Sequence, residues 1–120
     1  MQSKLIIGIL AGFLLLACAP IALAHAILVR STPADHAVVH SGDVRLTLDY
    51  NSRIDAARSV LSLTDAYGKD ILLHKLPSSN PAQLQADAGS LPTGRYSIRW
   101  QVLASDGHIT RGDIVFTVVP

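Results

Sequence analysis

Arg95-Tyr96-Ser97-Ile98-Arg99-Trp100-Gln101-Val102 changes between polar and apolar at every step. Successive side chains of a strand point to opposite faces, so Tyr96, Ile98, Trp100 and Val102 line one face and the polar four the other. The stretch predicts a half-buried strand with an aromatic core face. Outward from it, residues 43–50 repeat the pattern, with Val44, Leu46, Leu48 and Tyr50 in the apolar phase and Asp43, Arg45, Thr47 and Asp49 opposite. Residues 26–30, 59–63, 71–74, 83–87 and 113–119 carry weaker versions of it, giving about seven strands. Turn-forming clusters separate them, among them Thr32-Pro33-Ala34-Asp35, His40-Ser41-Gly42-Asp43, Ala66-Tyr67-Gly68-Lys69 and Leu91-Pro92-Thr93-Gly94. Short strands with this punctuation predict an all-β fold, a Greek-key antiparallel β-sandwich or flattened barrel. Tyr50, Tyr96, Trp100 and Phe116 are expected in its core, Asp49 and Arg99 outside it. Residues 51–58 keep no strand period and read as a wide loop or a short helical turn.

The first 24 residues read differently. Lys4 supplies a positive start, residues 5–16 an apolar run, and Ala22-Leu23-Ala24 a small-x-small cleavage site after Pro20. This is the layout of a secretory signal peptide, which predicts removal of residues 1–24 and export of a single domain over residues 25–120. A membrane-spanning helix needs about 20 apolar residues in a row, and the chain after His25 is alternating and polar. Leu15-Leu16-Ala17-Cys18 offers a competing reading as a lipoprotein box with a lipid on Cys18. The residues after Cys18, Ala19-Pro20-Ile21-Ala22-Leu23, are apolar, unlike the polar flexible tether that such an anchor uses.

Without the leader the chain has nine basic and nine acidic side chains, and all five histidines. A balance of zero points to no nucleic-acid partner. Cys18 and Met1, the sole cysteine and methionine, both fall in the leader, so the exported domain is held by packing rather than disulfides. At about 100 residues it has one core and no room for a second domain.

Cleavage after Ala24 would turn His25 into an N-terminal chelator, its α-amine and Nδ1 closing one ring on a metal ion. Asp106-Gly107-His108, between the two C-terminal strands, offers a carboxylate and a second imidazole, with Gly107 permitting a turn that aims both the same way. Nitrogen and oxygen donors in a flat field favour Cu(II). Asp-Gly-His alone is an ordinary turn; paired with His25 from the far end of the chain it becomes a candidate site of His25, Asp106 and His108. His36 and His40 share an i, i+4 spacing that converges only on a helix. Between Pro33 and Gly42 no helix is expected, so they read as solvent-facing loop residues. His74 reads as exposed polar surface on an edge strand.

These residues carry a resemblance. His25-Ala26-Ile27-Leu28-Val29-Arg30-Ser31-Thr32-Pro33-Ala34-Asp35 resembles the mature start of the CopC family of periplasmic copper-resistance proteins. Leu91-Pro92-Thr93-Gly94-Arg95-Tyr96-Ser97-Ile98-Arg99-Trp100, then Ser105-Asp106-Gly107-His108 and Gly112-Asp113-Ile114-Val115-Phe116, resemble its closing strands. The resemblance implies an immunoglobulin-like β-sandwich binding one Cu(II) per chain through the terminal amine and imidazole of His25, His108, and Asp106 as oxygen ligand. Two departures stand out. Where some members place a glutamate after the second strand, this chain has Tyr50-Asn51-Ser52-Arg53, and it lacks the methionine-rich Cu(I) segment of others.

The function this predicts is that of a monomeric, periplasmic, non-enzymatic Cu(II)-binding protein. It would serve copper homeostasis and resistance, sequestering the ion or delivering it to an inner-membrane copper transporter. The alternative is a small copper monooxygenase with a histidine brace, which shares a β-sandwich. A chain this short leaves few residues for long substrate-binding loops, and its aromatics lie in phase with the core. A metal-free adhesive or chaperone-like sandwich is a third class, one that leaves the terminal histidine without a role.

Overall fold

The computed structural model describes residues 25–120; the leader, its cleavage site and Cys18 lie outside the described residues. Nine strands form: β1 (Leu28–Thr32), β2 (Ala37–His40), β3 (Asp43–Tyr50), β4 (Val60–Asp65), β5 (Asp70–Ile71), β6 (His74–Leu76), β7 (Gln83–Ser90), β8 (Gly94–Leu103) and β9 (Ile109–Val119). They build two sheets, one in the order β1-β3-β7-β6 and the other β2-β9-β8-β4-β5. Alternation in the sequence decides which side chains fill the space between them. Leu46, Leu48, Leu84, Ile98, Val102, Phe116 and Val118 are buried there, with Tyr50, Tyr96 and Trp100 close behind. Of the sandwich and the flattened barrel that the pattern allows, the structure is the sandwich, immunoglobulin-like as the resemblance implies. Tyr96 adds a corner familiar from such folds: its hydroxyl donates to the Pro92 carbonyl at 2.6 Å, fixing the turn into β8.

Three expectations need correction. The sheets are not wholly antiparallel, because β2 lies parallel to β9 along the registers Ala37↔Phe116 to His40↔Val119. Four residues flanked by turns give too short a period to detect. The single strand expected over residues 71–74 is two fragments in different sheets, β5 pairing with β4 and β6 with β7. Leu72 and Leu73 carry the chain across, Leu73 packing on the core and Leu72 facing solvent. The first strand begins at Leu28 rather than residue 26, with a register shift between Leu28 and Arg30. The chain from His25 to Ile27 therefore precedes the sheet.

Residues 51–58 end in a 3-10 turn, Ala56–Arg58, capped by the Asp55 carboxylate accepting from the Arg58 N–H. The turn sits against β8 through the Asp55 N–H to Leu103 carbonyl bond and an isolated bridge between Ile54 and Ala104. Within the core, Trp100 stands opposite Gly112, and a Cβ there would run into the indole. Asp49 is half-buried and bonds the Arg30 and Gln83 side chains, while Arg99 pairs with Asp113 in solvent.

Candidate metal centre

β8 and β9 pair from Gly94↔Val118 to Leu103↔Ile109, leaving residues 104–108 as their connection. The Gly107 N–H donates to the Ala104 carbonyl at 3.0 Å and the Ala104 N–H to the His108 carbonyl at 2.8 Å, closing a tight loop. Gly107 takes φ +87, a region where a Cβ is strained, and no other atom crowds it. Inside the loop, Asp106 Oδ1 accepts the His108 backbone N–H at 2.9 Å. Its other oxygen, Oδ2, lies 3.0 Å from His108 Nδ1 and 3.9 Å from His25 Nδ1. The loop thus spends one carboxylate oxygen on its own fold and aims the second at both imidazoles.

The three side chains come from opposite ends of the described chain, yet each offers a donor atom within 4.8 Å of the others. With metal–nitrogen bonds of about 2 Å, two donors on one ion stand from about 2.8 Å apart at right angles to about 4 Å apart across the ion. The trio is nearly at ligating separation. The His25 and His108 rings meet edge to face with centroids 4.7 Å apart. Side-chain exposures of 39% for His25 and 59% for His108, against 21% for Asp106, put the site at the surface with the carboxylate its least exposed side chain. Hydrogen bonding by the His108 backbone N–H is the main cause that holds the Asp106 carboxyl below the usual carboxylate range. Partial desolvation opposes it, and the bond and charge of His108 and the charge of His25 add to it. An ionised oxygen and two imidazoles suit a borderline metal ion and not a hard cation such as Mg2+ or Ca2+.

The arm bearing His25 is placed by groups that sequence reasoning missed. Ala26 is fully buried and its carbonyl accepts from the Thr110 hydroxyl at 2.8 Å. Asn51 brackets Ile27 on both sides, its Oδ1 accepting the Ile27 N–H at 2.8 Å and its own N–H donating to the Ile27 carbonyl at 2.9 Å. Ser52, at the place of the absent glutamate, sets its hydroxyl 3.5 Å from the His25 carbonyl. His36 and His40 stay apart. His36, at φ +64, turns its Nε2 to Asp35 at 3.4 Å, and His40, at the end of β2 rather than in a loop, faces the Pro120 carbonyl at 3.2 Å. His74 is exposed on the edge strand β6, as expected.

Comparison with known proteins now bears on the whole domain. A profile of the CopC domain matches residues 28–119. The chain belongs to the CopC family. It is 29% identical over 119 residues to a copper resistance protein C from Escherichia coli, covering 92% of this chain and 94% of that one. Protein YobA of Escherichia coli K12 is 31% identical over 100 residues, 79% of each chain. Among solved structures, CopC from Methylosinus trichosporium OB3b superimposes with a TM-score of 0.75 at 32% identity, over 80% of this chain and 95% of that one. The CopC match covers Asp106 and His108 and starts three residues after His25; what brings the three together is their geometry.

Proposed function

We propose that this protein is an exported, monomeric Cu(II)-binding protein of the periplasm, matured by cleavage after Ala24, that sequesters the ion or hands it to an inner-membrane copper transporter. The observation that carries this reading is the convergence of His25, Asp106 and His108 at the surface, with donor atoms within 4.8 Å of one another. With a free terminus, the amine and Nδ1 of His25 supply two donors, an imidazole nitrogen of His108 a third and Asp106 Oδ2 a fourth. Such an N/O set would suit a tetragonal field, in which Cu(II) outranks Zn(II) and Ni(II). Membership in a family that includes copper resistance proteins supports the choice of ion. No helix among the described residues is long and apolar enough to cross a membrane.

A binding role is preferred over the monooxygenase alternative because the aromatics are spent on the core. Tyr50, Tyr96, Trp100 and Phe116 are buried, and the exposed Tyr67 sits in the β4–β5 turn. β4 reaches that turn beside Tyr96, near the start of β8, whereas the metal loop follows the end of β8. Among the described residues, the site therefore has no aromatic platform for a polysaccharide.

The test combines mass, stoichiometry and redox behaviour on protein recovered from the periplasm. Intact mass should correspond to a chain starting at His25, and titration should reach one Cu(II) per chain. Anaerobic ascorbate with a Cu(I) chelator should then strip the metal readily, because Cu(I) prefers sulfur and residues 25–120 hold neither Cys nor Met. A lipidated Cys18 terminus, or Cu(I) retained through oxygen-dependent turnover of a polysaccharide, would overturn the reading.

A further inference from the structure

The two halves of the metal site are not joined by the sheets, since His25 precedes β1 and Asp106 and His108 lie between β8 and β9. What joins them is the segment 51–55 after β3. At one end, Asn51 takes both peptide groups of Ile27, and Ser52 approaches the His25 carbonyl. At the other, Ile54 bridges Ala104 and the Asp55 N–H donates to Leu103, at the root of the loop that carries Asp106 and His108. Thr110, two residues past His108, completes the ring by donating to the Ala26 carbonyl. The arm's Ala26 carbonyl and both Ile27 peptide groups are thereby occupied, and the His25 ring stands beside Asp106 and His108.

We propose that Asn51, with Thr110, is the positioning residue of this copper site, holding the His25 arm at ligating distance from Asp106 and His108 before the metal arrives. The inference rests on the Cu(II)-binding reading above. A chain end outside a sheet is ordinarily poorly ordered, and a ligand on a mobile arm must lose that freedom on binding. Asn51 removes the freedom in advance. Its side chain gives the Ile27 N–H the partner that a strand neighbour would otherwise provide, while its own N–H anchors the other side of the same residue. In this chain the bracket comes from an amide and two hydroxyls, with no carboxylate at Ser52 to compete for the metal.

The experiment uses the processed chain starting at His25 and its Asn51→Ala, Asn51→Asp, Thr110→Val and Thr110→Ser variants. For each, Cu(II) affinity is measured by competition, the loaded protein is examined by electron paramagnetic resonance for nitrogen hyperfine coupling, and the melting temperature of the metal-free form is recorded. Asn51→Ala and Thr110→Val are each expected to weaken Cu(II) binding by about 10-fold, the lower range for groups that orient a ligand. They should also lose resolved coupling from one imidazole. Asn51→Asp and Thr110→Ser, which keep the acceptor oxygen and the hydroxyl, should restore most of both. A residue that merely supported the fold would lower the melting temperature and leave the spectrum of the loaded protein unchanged. If Asn51→Ala does not fold, Thr110→Val decides alone. Wild-type affinity and spectra in the folded variants overturn the positioning role and leave the site standing. Failure of the unmodified chain to bind Cu(II) overturns the site, and the positioning role with it.

Discussion

The two ends of β9 carry nearly the same chemistry and put it to different uses. At its start stand two histidines and an aspartate, His25, His108 and Asp106, with donor atoms within 4.8 Å. Near its end stand His36, His40 and Asp35, with the Pro120 carbonyl beside them. The ends lie about 33 Å apart at the usual rise of a strand. At the far end the histidines are close in sequence, yet four extended residues span about 13 Å, and each ring turns to its own neighbour. At the near end they are 83 positions apart and share one carboxylate oxygen. Closeness along a strand disperses donors; a loop closed against a tethered arm gathers them.

The strongest way to break that contrast is to remove a donor from the gathered set. One extra residue ahead of His25 abolishes the amine of the chelate ring, and His108→Ala removes the second imidazole. Each is expected to weaken Cu(II) binding by more than the roughly 100-fold upper limit for groups that act only through a ligand. Isothermal titration against a competing chelator measures it. Binding as tight as in the unmodified mature chain would place the copper elsewhere.

Acidification comes next in size and separates the nitrogen donors from the oxygen. Asp106 is held below the usual carboxylate range, chiefly by the His108 backbone N–H. A depressed carboxyl contributes above its unfolded value, about 3.9, and that contribution is lost only as pH falls through the lower folded value. Between pH 8 and 6 Asp106 therefore stays ionised, and the loss of copper belongs to protons competing for the nitrogen donors, foremost a terminal amine, near 7.7–8.0 in unperturbed chains. Cu(II) affinity should drop at least about tenfold over that interval, by the proton competition a metal must win. Asp106→Asn should lower the whole affinity curve without moving its midpoint. A midpoint that moves would assign the titration to the carboxylate.

A matched pair of glycines sharpens the contrast further. Gly107 turns the metal loop at φ +87 and Gly42 the β2–β3 turn at φ +141, each with open space where a Cβ would stand. Gly107→Ala and Gly42→Ala should each cost about 1 kcal/mol in backbone strain, about 4–8 °C in Tm for a domain of this size. Only Gly107→Ala should also weaken copper binding, by several-fold, because it alone re-aims Asp106 and His108. Equal copper affinity in both variants would mean that the loop's conformation does not set the donors.

Most of the sandwich was legible because period two repeats over the long strands: β3, β8 and β9 carry their cores in phase from Val44 to Val118. β2, β5 and β6 were misread because two to four residues cannot display a period, and the sheet switch at Leu72–Leu73 looks like one continuous apolar run. The trio was legible as residue types, since a histidine directly after a small-x-small pattern and an Asp-Gly-His turn are both visible in the chain. Its scaffold was not. Asn51 and Thr110 bind backbone groups, which every residue has, so no pattern in the sequence announces which amide or hydroxyl will meet them. The segment 51–55 lacked a strand period and looked featureless, yet it ties the arm to the loop.

The smallest effect is expected at the far end and tests whether composition alone makes a site. A variant carrying both His36→Ala and His40→Ala loses two of the five histidines. If histidine content governed copper binding, affinity would fall in proportion and a second, weaker Cu(II) would disappear from the titration. The geometry argues otherwise: His36 is engaged by Asp35 and His40 by Pro120, on rings that face solvent and not each other. Exposed pairs of this kind contribute about 0–1 kcal/mol, so stability should change little as well. The double variant should keep one Cu(II) per chain with an affinity within about twofold of the unmodified protein, against the more than 100-fold expected for His108→Ala. A loss of tenfold or more would show that the far end takes part in binding, and that the trio at the start of β9 is not the whole site.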